Sequence, residues 1–350
     1  MLQQILTAYS VSESASTIEP INNGLINQTW LVKNRKGNFI VQKINTMVFR
    51  NPHAIASNLR LLDNYLKQHY PSYLFVAPLL TSTGEEMVFI EKEGYFRVFP
   101  YVNHSHTIHS VKTPGQAYEA ARMFGKFTSI LSTFPVGSLQ ITIPDFHNLS
   151  LRFRQFSEAA KMGNPERIAV AGDLIDFIIA NKNIVDTYES ILVNPSFILR
   201  VTHHDTKISN VLLSPEDMGL CIIDLDTLMP GYYISDVGDM MRTYLSPVSE
   251  EEQDFSAINI RGEYFSAVWN GYMSEMKNEL SQVERNHFIY SGKFMIYMQA
   301  IRFLTDFLNN DVYYGASYDK HNFVRAGNQI VLLRQLMKTE PELQQIIQAS

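Results

Sequence analysis

The stretch 200–241 constrains this chain more than any other, because it sets an octet too polar for a core between short apolar runs. Phe197-Ile198-Leu199-Arg200-Val201 reads as a strand that enters the octet His203-His204-Asp205-Thr206-Lys207-Ile208-Ser209-Asn210, a loop. Val211-Leu212-Leu213 then reads as a strand, 214–219 as a turn, and Leu220-Cys221-Ile222-Ile223-Asp224 as the returning strand. Such a hairpin is expected to bring Asp224 back beside Asp205 and Asn210. Alternation along an extended strand would point Asp224 and Asp226 the same way. Carboxylates that close repel each other unless a divalent cation lies between them. Magnesium suits the set: it takes oxygen ligands and is commonly shared between one or two carboxylates and substrate phosphates. Asn210 adds a neutral oxygen, and Asp205 can face a substrate hydroxyl. The chemistry implied is phosphoryl transfer.

Composition bounds the alternatives. A chain of 350 residues is long enough for about two domains. A net charge of −6 offers no general attraction for nucleic acid, so an anionic ligand must be met locally. The single cysteine, Cys221, lies in an apolar strand; it permits no internal disulfide and fits a reducing compartment. Residues 1–16 lack the pattern of a signal peptide, and no apolar run approaches the roughly 18 residues of a membrane span. A soluble, cytoplasmic protein with no membrane partner is expected.

Residues up to about 101 read as a small sheet with one helix. Residues 29–33 and 38–44 are expected strands, following the loop Asn22-Asn23-Gly24-Leu25-Ile26-Asn27, where Asn23 and Gly24 can turn backbone amides towards a phosphate. Lys43 shares a strand face with Val41, and a lysine on a covered face wants an anion. Residues 52–69 have helical periodicity through Ile55, Leu59, Leu62 and Leu66. Residues 74–80 and 87–99 complete the sheet, which Phe99-Pro100-Tyr101-Val102 interrupts. His104, His106 and His109 follow at short steps; no cysteine or carboxylate lies nearby in sequence, and a polar linker accounts for them. Helical spacing then dominates, over 117–131, 150–162, 168–188, 260–277, 283–308 and 323–336. Pro144-Asp145-Phe146-His147 reads as a turn between helices. Asp236-Val237-Gly238 imitates a kinase magnesium motif, but precedes Met240, Met241 and Tyr244 at helical spacing and is read as a helix cap. Arg302, Thr305 and Asp306 share a helix face, where Arg302 and Asp306 suit an i, i+4 ion pair.

His203-x-Asp205-x-x-x-x-Asn210 followed by Ile223-Asp224-Leu225-Asp226 resembles the catalytic loop and metal-binding strand of the aminoglycoside phosphotransferase and choline kinase superfamily. Asp205-Thr206-Lys207, residues 223–231 and Arg302-Phe303-Leu304-Thr305-Asp306-Phe307-Leu308 look most like N-acetylhexosamine 1-kinases. The resemblance spans nearly the whole chain. It implies a two-lobed, protein-kinase-like α+β fold: a small antiparallel sheet lobe over 1–101 that binds nucleotide, and a larger, mainly helical catalytic and substrate lobe over 102–350. It further implies ATP and Mg²⁺, with Asp205 as catalytic base and Lys207 contacting phosphate. Asn210 and Asp224 would be metal ligands with Asp226 as an auxiliary acid there, and Lys43 would clamp phosphate. Phe99 and Tyr101 would lie at the adenine, and Arg302 and Asp306 near the acceptor. The small-molecule acceptor would be a hexose or N-acetylhexosamine, taken at its anomeric hydroxyl. An amino alcohol resembling choline or homoserine, or an aminoglycoside, is the second reading, and a nucleotide-binding pseudokinase the third. One departure stands out: kinases pair the strand lysine with a helix glutamate, and residues 52–69 offer only Ser57, Asn58 and Asp63.

Overall fold

The computed structural model describes residues 2–11, 17–21, 26–34 and 37–349, and these divide into two compact units. The first gathers Met1–Thr107, Thr133–Pro144 and Val211–Pro230. The second holds Ile108–Ser132, Asp145–Asn210 and Gly231–Ser350. The 211–230 hairpin, expected with the helical lobe, therefore groups with the sheet.

The first unit begins with helix α1 (Leu2–Ala8), then strands β1 (Thr17–Ile21), β2 (Gln28–Asn34) and β3 (Gly37–Lys43). Helix α2 (Pro52–His69) follows, then β4 (Val88–Ile90) and β5 (Gly94–Pro100). The five strands form one antiparallel sheet in the order β1-β2-β3-β5-β4. One face carries Val32, Val41, Phe96 and Val98, fully buried with Ile5 and Leu6 of α1. Helix α2 has the bounds its periodicity predicts: Pro52 suits the first turn, and Ile55, Leu59, Leu62 and Leu66 are buried. Residues 74–80, expected as a strand, are irregular. Pro78 has no N–H to give a ladder, and the Leu79 N–H reaches the sheet, bonding the Val98 carbonyl at 2.8 Å. Residues 87–99 break into β4 and β5 around a turn at Lys92 and Gly94, both at positive φ.

The chain continues through helices α3 (Pro114–Ile130), α4 (Leu149–Met162), α5 (Pro165–Val170), α6 (Gly172–Ala180) and α7 (Asn183–Val193) to strand β6 (Arg200–Thr202). Strands β7 (Val211–Leu213), β8 (Gly219–Ile222) and β9 (Met229–Gly231) come next. Helices α8 (Ile234–Tyr244), α9 (Gly262–Met276), α10 (Gln282–Asn286), α11 (Phe288–Leu308) and α12 (His321–Ala349) complete it. The single helix expected over 168–188 is three, because the chain turns at Ala171 and again at Asn181–Lys182. The helix expected over 283–308 is broken at His287. Within the second unit α11 is buried on nearly every side and packs on α12, α8 and α4, while α3 packs on α9. Helices α8 and α11 approach so closely that a Cβ on Gly238 would lie 2.3 Å from the Ser291 carbonyl oxygen, so only glycine fits. Glu284, fully buried, takes the Arg200 guanidinium in a two-pronged ion pair at 2.6 and 3.0 Å, which ties β6 to α10. Among the described residues no helix is long and apolar enough to cross a membrane.

Candidate active site

The polar octet folds as sequence alternation and helix α8 together dictate. His203, His204, Thr206, Ile208 and Asn210 are buried, whereas Asp205, Lys207 and Ser209 keep exposed surface. The backbone is held by two acids of α8. Asp236 accepts the N–H groups of His203 at 3.0 Å and His204 at 2.7 Å, and Asp239 accepts that of Thr206 at 2.8 Å. The Thr206 hydroxyl donates to the Asp236 carbonyl at 2.7 Å, and the Tyr244 hydroxyl donates to the Thr206 carbonyl. Asp236 is thus no helix cap, as its position suggested: it sits inside the first turn of α8 and fixes the loop in front of it. Burial pushes its carboxyl up to about 7, against the pull of the two N–H donors. Burial raises Asp239 too, opposed by Arg242.

Asp205 is presented by this scaffold. Its N–H donates to His203 Nδ1 at 3.3 Å, so His203, fully buried against Phe124, serves the loop backbone. Its carbonyl accepts the Asn210 side-chain amide at 2.9 Å, and its carboxylate lies 3.3 Å from Lys207 Nζ. Burial works against the charge on Lys207, but the carboxylates of Asp205 and Asp239 outweigh it and hold its pKa above the usual lysine value. A carboxylate and a standing cation side by side, on a backbone locked from behind, can orient a hydroxyl and meet an anion at one place. With the Asn210 amide nitrogen engaged by Asp205, the Asn210 oxygen is the atom suited to a hard cation.

Asp224 and Asp226 part company. Strand β8 ends at Ile222, Asp224 takes left-handed backbone at φ 59°, and 225–227 turn as a 3₁₀ helix, so the two-residue alternation of a strand does not apply. Asp224 is exposed; Asp226, expected beside it at a metal, is buried. One Asp226 oxygen accepts the Arg97 guanidinium and the other the Asn27 amide at 2.8 Å. Of the two, Asp224 is the exposed carboxylate, while both Asp226 oxygens are taken by protein donors. Among the described residues no three His, Cys, Asp or Glu stand grouped for a metal. His106 of the histidine run meets Asp217 at 3.0 Å, and Cys221 is buried with its thiol pushed up to about 12.

Lys43 does share a face with Val41, but that face packs on α1, and its ammonium sits 2.9 Å from Glu93 and over the Phe96 ring. The opposite face carries Gln42, directly across from Arg97 in the β3–β5 register. Phe99 lies 4.9 Å under the Arg97 guanidinium, and the Tyr101 N–H bonds the Asn38 carbonyl at 3.2 Å. Asn23 and Gly24 lie outside the described residues.

In the second unit Arg302 is ringed by Phe146, Tyr313 and Tyr314 at 5.9, 6.0 and 5.5 Å. Asp306 makes no pair with it. Its oxygens accept the N–H groups of Tyr313 at 2.7 Å and Tyr314 at 2.8 Å and the Asn322 amide at 3.2 Å, so it shapes the segment bearing the two tyrosines. The 144–147 turn now has a place: His147 stacks on Phe146 at 4.4 Å and lies 5.3 Å from His204 of the loop. Burial, with His204 and Arg302 nearby, holds His147 well below the ordinary histidine range. Gly231, at the end of the sequence motif, leaves room for His204, whose ring nitrogen would stand 2.5 Å from a Cβ there. Arg97, Asp236, Asp239, His147 and the two tyrosines were missed from sequence. A charge inside the apolar run Phe96-Arg97-Val98-Phe99, and acids at i, i+3 among the apolar residues of α8, were the available signals.

Residues 17–266 match the model of a family described as a phosphotransferase enzyme family. Solved structures share the fold at low identity. A microcompartment-associated aminopropanol kinase is 16% identical with a TM-score of 0.67, covering 98% of this chain and 97% of its own. An aminoglycoside phosphotransferase from Alicyclobacillus acidocaldarius is 12% identical with a TM-score of 0.66, over 99% and 96%. An amicoumacin kinase, in complex with AMP-PNP, Ca²⁺ and Ami, is 14% identical with a TM-score of 0.64, over 95% and 92%.

Proposed function

The chain belongs to the phosphotransferase enzyme family and is a small-molecule kinase, and from that premise we propose that it moves the γ-phosphoryl group of ATP to the anomeric hydroxyl of a hexose or N-acetylhexosamine. Asp205 orients the acceptor hydroxyl and takes its proton as the new P–O bond forms and the bond to the ADP oxygen breaks. A carboxylate is a weak base for any hydroxyl, so positioning carries most of its effect and the proton moves late. Lys207 meets phosphate oxygens. Asp224 and the Asn210 oxygen are the groups that would hold a divalent cation, Mg²⁺ in this reading, which when bound neutralises phosphate charge that a chain at −6 cannot absorb globally.

The observation that carries the acceptor class is the cluster of Arg302, Phe146, Tyr313 and Tyr314, joined to the catalytic loop through His147 and His204. Its charge is positive and its surfaces aromatic, which suits a neutral ring rich in oxygen acceptors and opposes the cationic head of an amino alcohol or an aminoglycoside. A phosphate on the anomeric carbon locks the ring and removes the reducing end, whereas one on C3 or C6 leaves it. With ATP, magnesium and N-acetylglucosamine or N-acetylgalactosamine, reducing-sugar signal should fall in proportion to ADP formed. ADP with the reducing end preserved would exclude the anomeric assignment; ADP with amino alcohols or aminoglycosides and none with sugars would replace the acceptor class.

A further inference from the structure

We propose that Arg97 is a positioning residue: through its ion pair with Asp226 it fixes the turn that presents Asp224. The proposal rests on the reading of Asp224 as a cation ligand. The pair that sequence invites does not form, because Lys43 faces α1 and meets Glu93, and α2 offers Asn58 where an acid was sought. On the opposite sheet face Arg97 is 2% exposed and Asp226 1%. The guanidinium reaches Gln42 Oε1 through Nε at 3.0 Å and a second nitrogen at 2.5 Å, lies over Phe99 and bonds one Asp226 oxygen. Asn27, itself held by the Asn45 N–H at 2.9 Å, bonds the other. Two residues on, the Leu228 carbonyl accepts the Asn58 amide at 2.9 Å, and Asn58 also clasps Gln140.

The turn is therefore pinned at 226 and 228. Leu225, just before the first pin, and Thr227, between the two, are buried. Asp224 alone is exposed, on left-handed backbone that an aspartate tolerates but does not choose. Removing the anchor at 226 should let this turn relax, and with it the direction of the Asp224 carboxylate.

The test uses Arg97→Met, Asp226→Asn, the double variant and Arg97→Lys in the full chain. Two readouts apply: calorimetric ATP affinity with and without magnesium, and amide hydrogen exchange of residues 225–228 without nucleotide or metal. Asparagine offers one acceptor oxygen where Arg97 and Asn27 need two, and no charge, so the second variant weakens the anchor with little change of shape. Each single variant should weaken magnesium-dependent ATP binding by about 10–100-fold, the range for losing a support behind a metal ligand. Metal-free affinity should stay unchanged, and exchange should speed up at 225–228 but not in β7 and β8. The double variant should be no worse than the poorer single one, because both remove the same contact. Arg97→Lys, which keeps charge but loses the fork, should recover part of the affinity. If Arg97→Met does not fold, Asp226→Asn carries both measurements. Wild-type magnesium dependence and exchange in a folded single variant, or a double variant with the product of two losses, overturns the proposal. A wild-type protein without magnesium-dependent ATP binding would instead sink the reading of Asp224, and exchange at 225–228 would still judge the anchor.

Discussion

Asp205 is the residue whose chemistry and setting agree most fully: a part-exposed carboxylate beside a standing lysine, on a loop whose N–H groups are taken up from behind by Asp236 and Asp239. Asp205→Asn keeps the shape and removes the proton acceptor, so turnover should fall by roughly 10²–10⁴ while nucleotide affinity is kept. Near-normal turnover in steady-state assays would remove Asp205 from the mechanism. His147 makes a pH prediction. Its Nδ1 is buried without a hydrogen-bond partner among the described residues, although the residue keeps an exposed edge, and its folded pKa is depressed. Below about 6.5 the unfolded chain takes up a proton there that the folded chain refuses, so its share of stability is lost as pH falls through that window. Asp236 acts oppositely, since its raised pKa makes stability fall as pH rises from about 4 to about 7. The contrast between wild type and His147→Gln isolates the histidine. Between pH 7.5 and pH 5, urea denaturation should show the wild type losing up to about 2 kcal/mol more than the variant; equal losses would mean that His147 titrates normally.

Elements differ in how openly the sequence announces them. Helix α2 was readable because Pro52 and a single apolar stripe leave no competing solution, whereas 168–188 kept helical periodicity across breaks at Ala171 and Asn181 that only tertiary packing chose. The strand alternation assumed for Asp224 and Asp226 failed because a left-handed residue intervenes, and left-handed backbone at an aspartate leaves little mark in sequence. Arg302 and Asp306 show the same limit: i, i+4 spacing suggested a pair, but Asp306 finds two backbone N–H groups on the segment after α11. Asp306→Ala should strand both donors, each at about 1–3 kcal/mol where buried, and loosen Tyr313 and Tyr314. We expect a lower melting temperature and a raised KM for the acceptor with KM for ATP unchanged. Parallel increases in both KM values would show that the segment does not serve the acceptor alone.

At the scale of the molecule, the family was evident from sequence because the residues that carry the resemblance are concentrated in one octet and one turn. The acceptor was not, since the side chains proposed to meet it come from 146–147, 302 and 313–314, segments with no common motif that folding brings together. At Lys43, alternation gives the face shared with Val41 without saying which face is covered by α1. The central claim is that this chain couples ATP to a small-molecule hydroxyl through Asp205, and phosphorus NMR of the purified protein with ATP, magnesium and a panel of sugars, amino alcohols and aminoglycosides tests it most directly. One phosphate monoester should form per ADP, on a hexose or N-acetylhexosamine, absent without acceptor and nearly absent in Asp205→Asn. ADP released with inorganic phosphate regardless of acceptor, or no turnover with any of the panel, would contradict it.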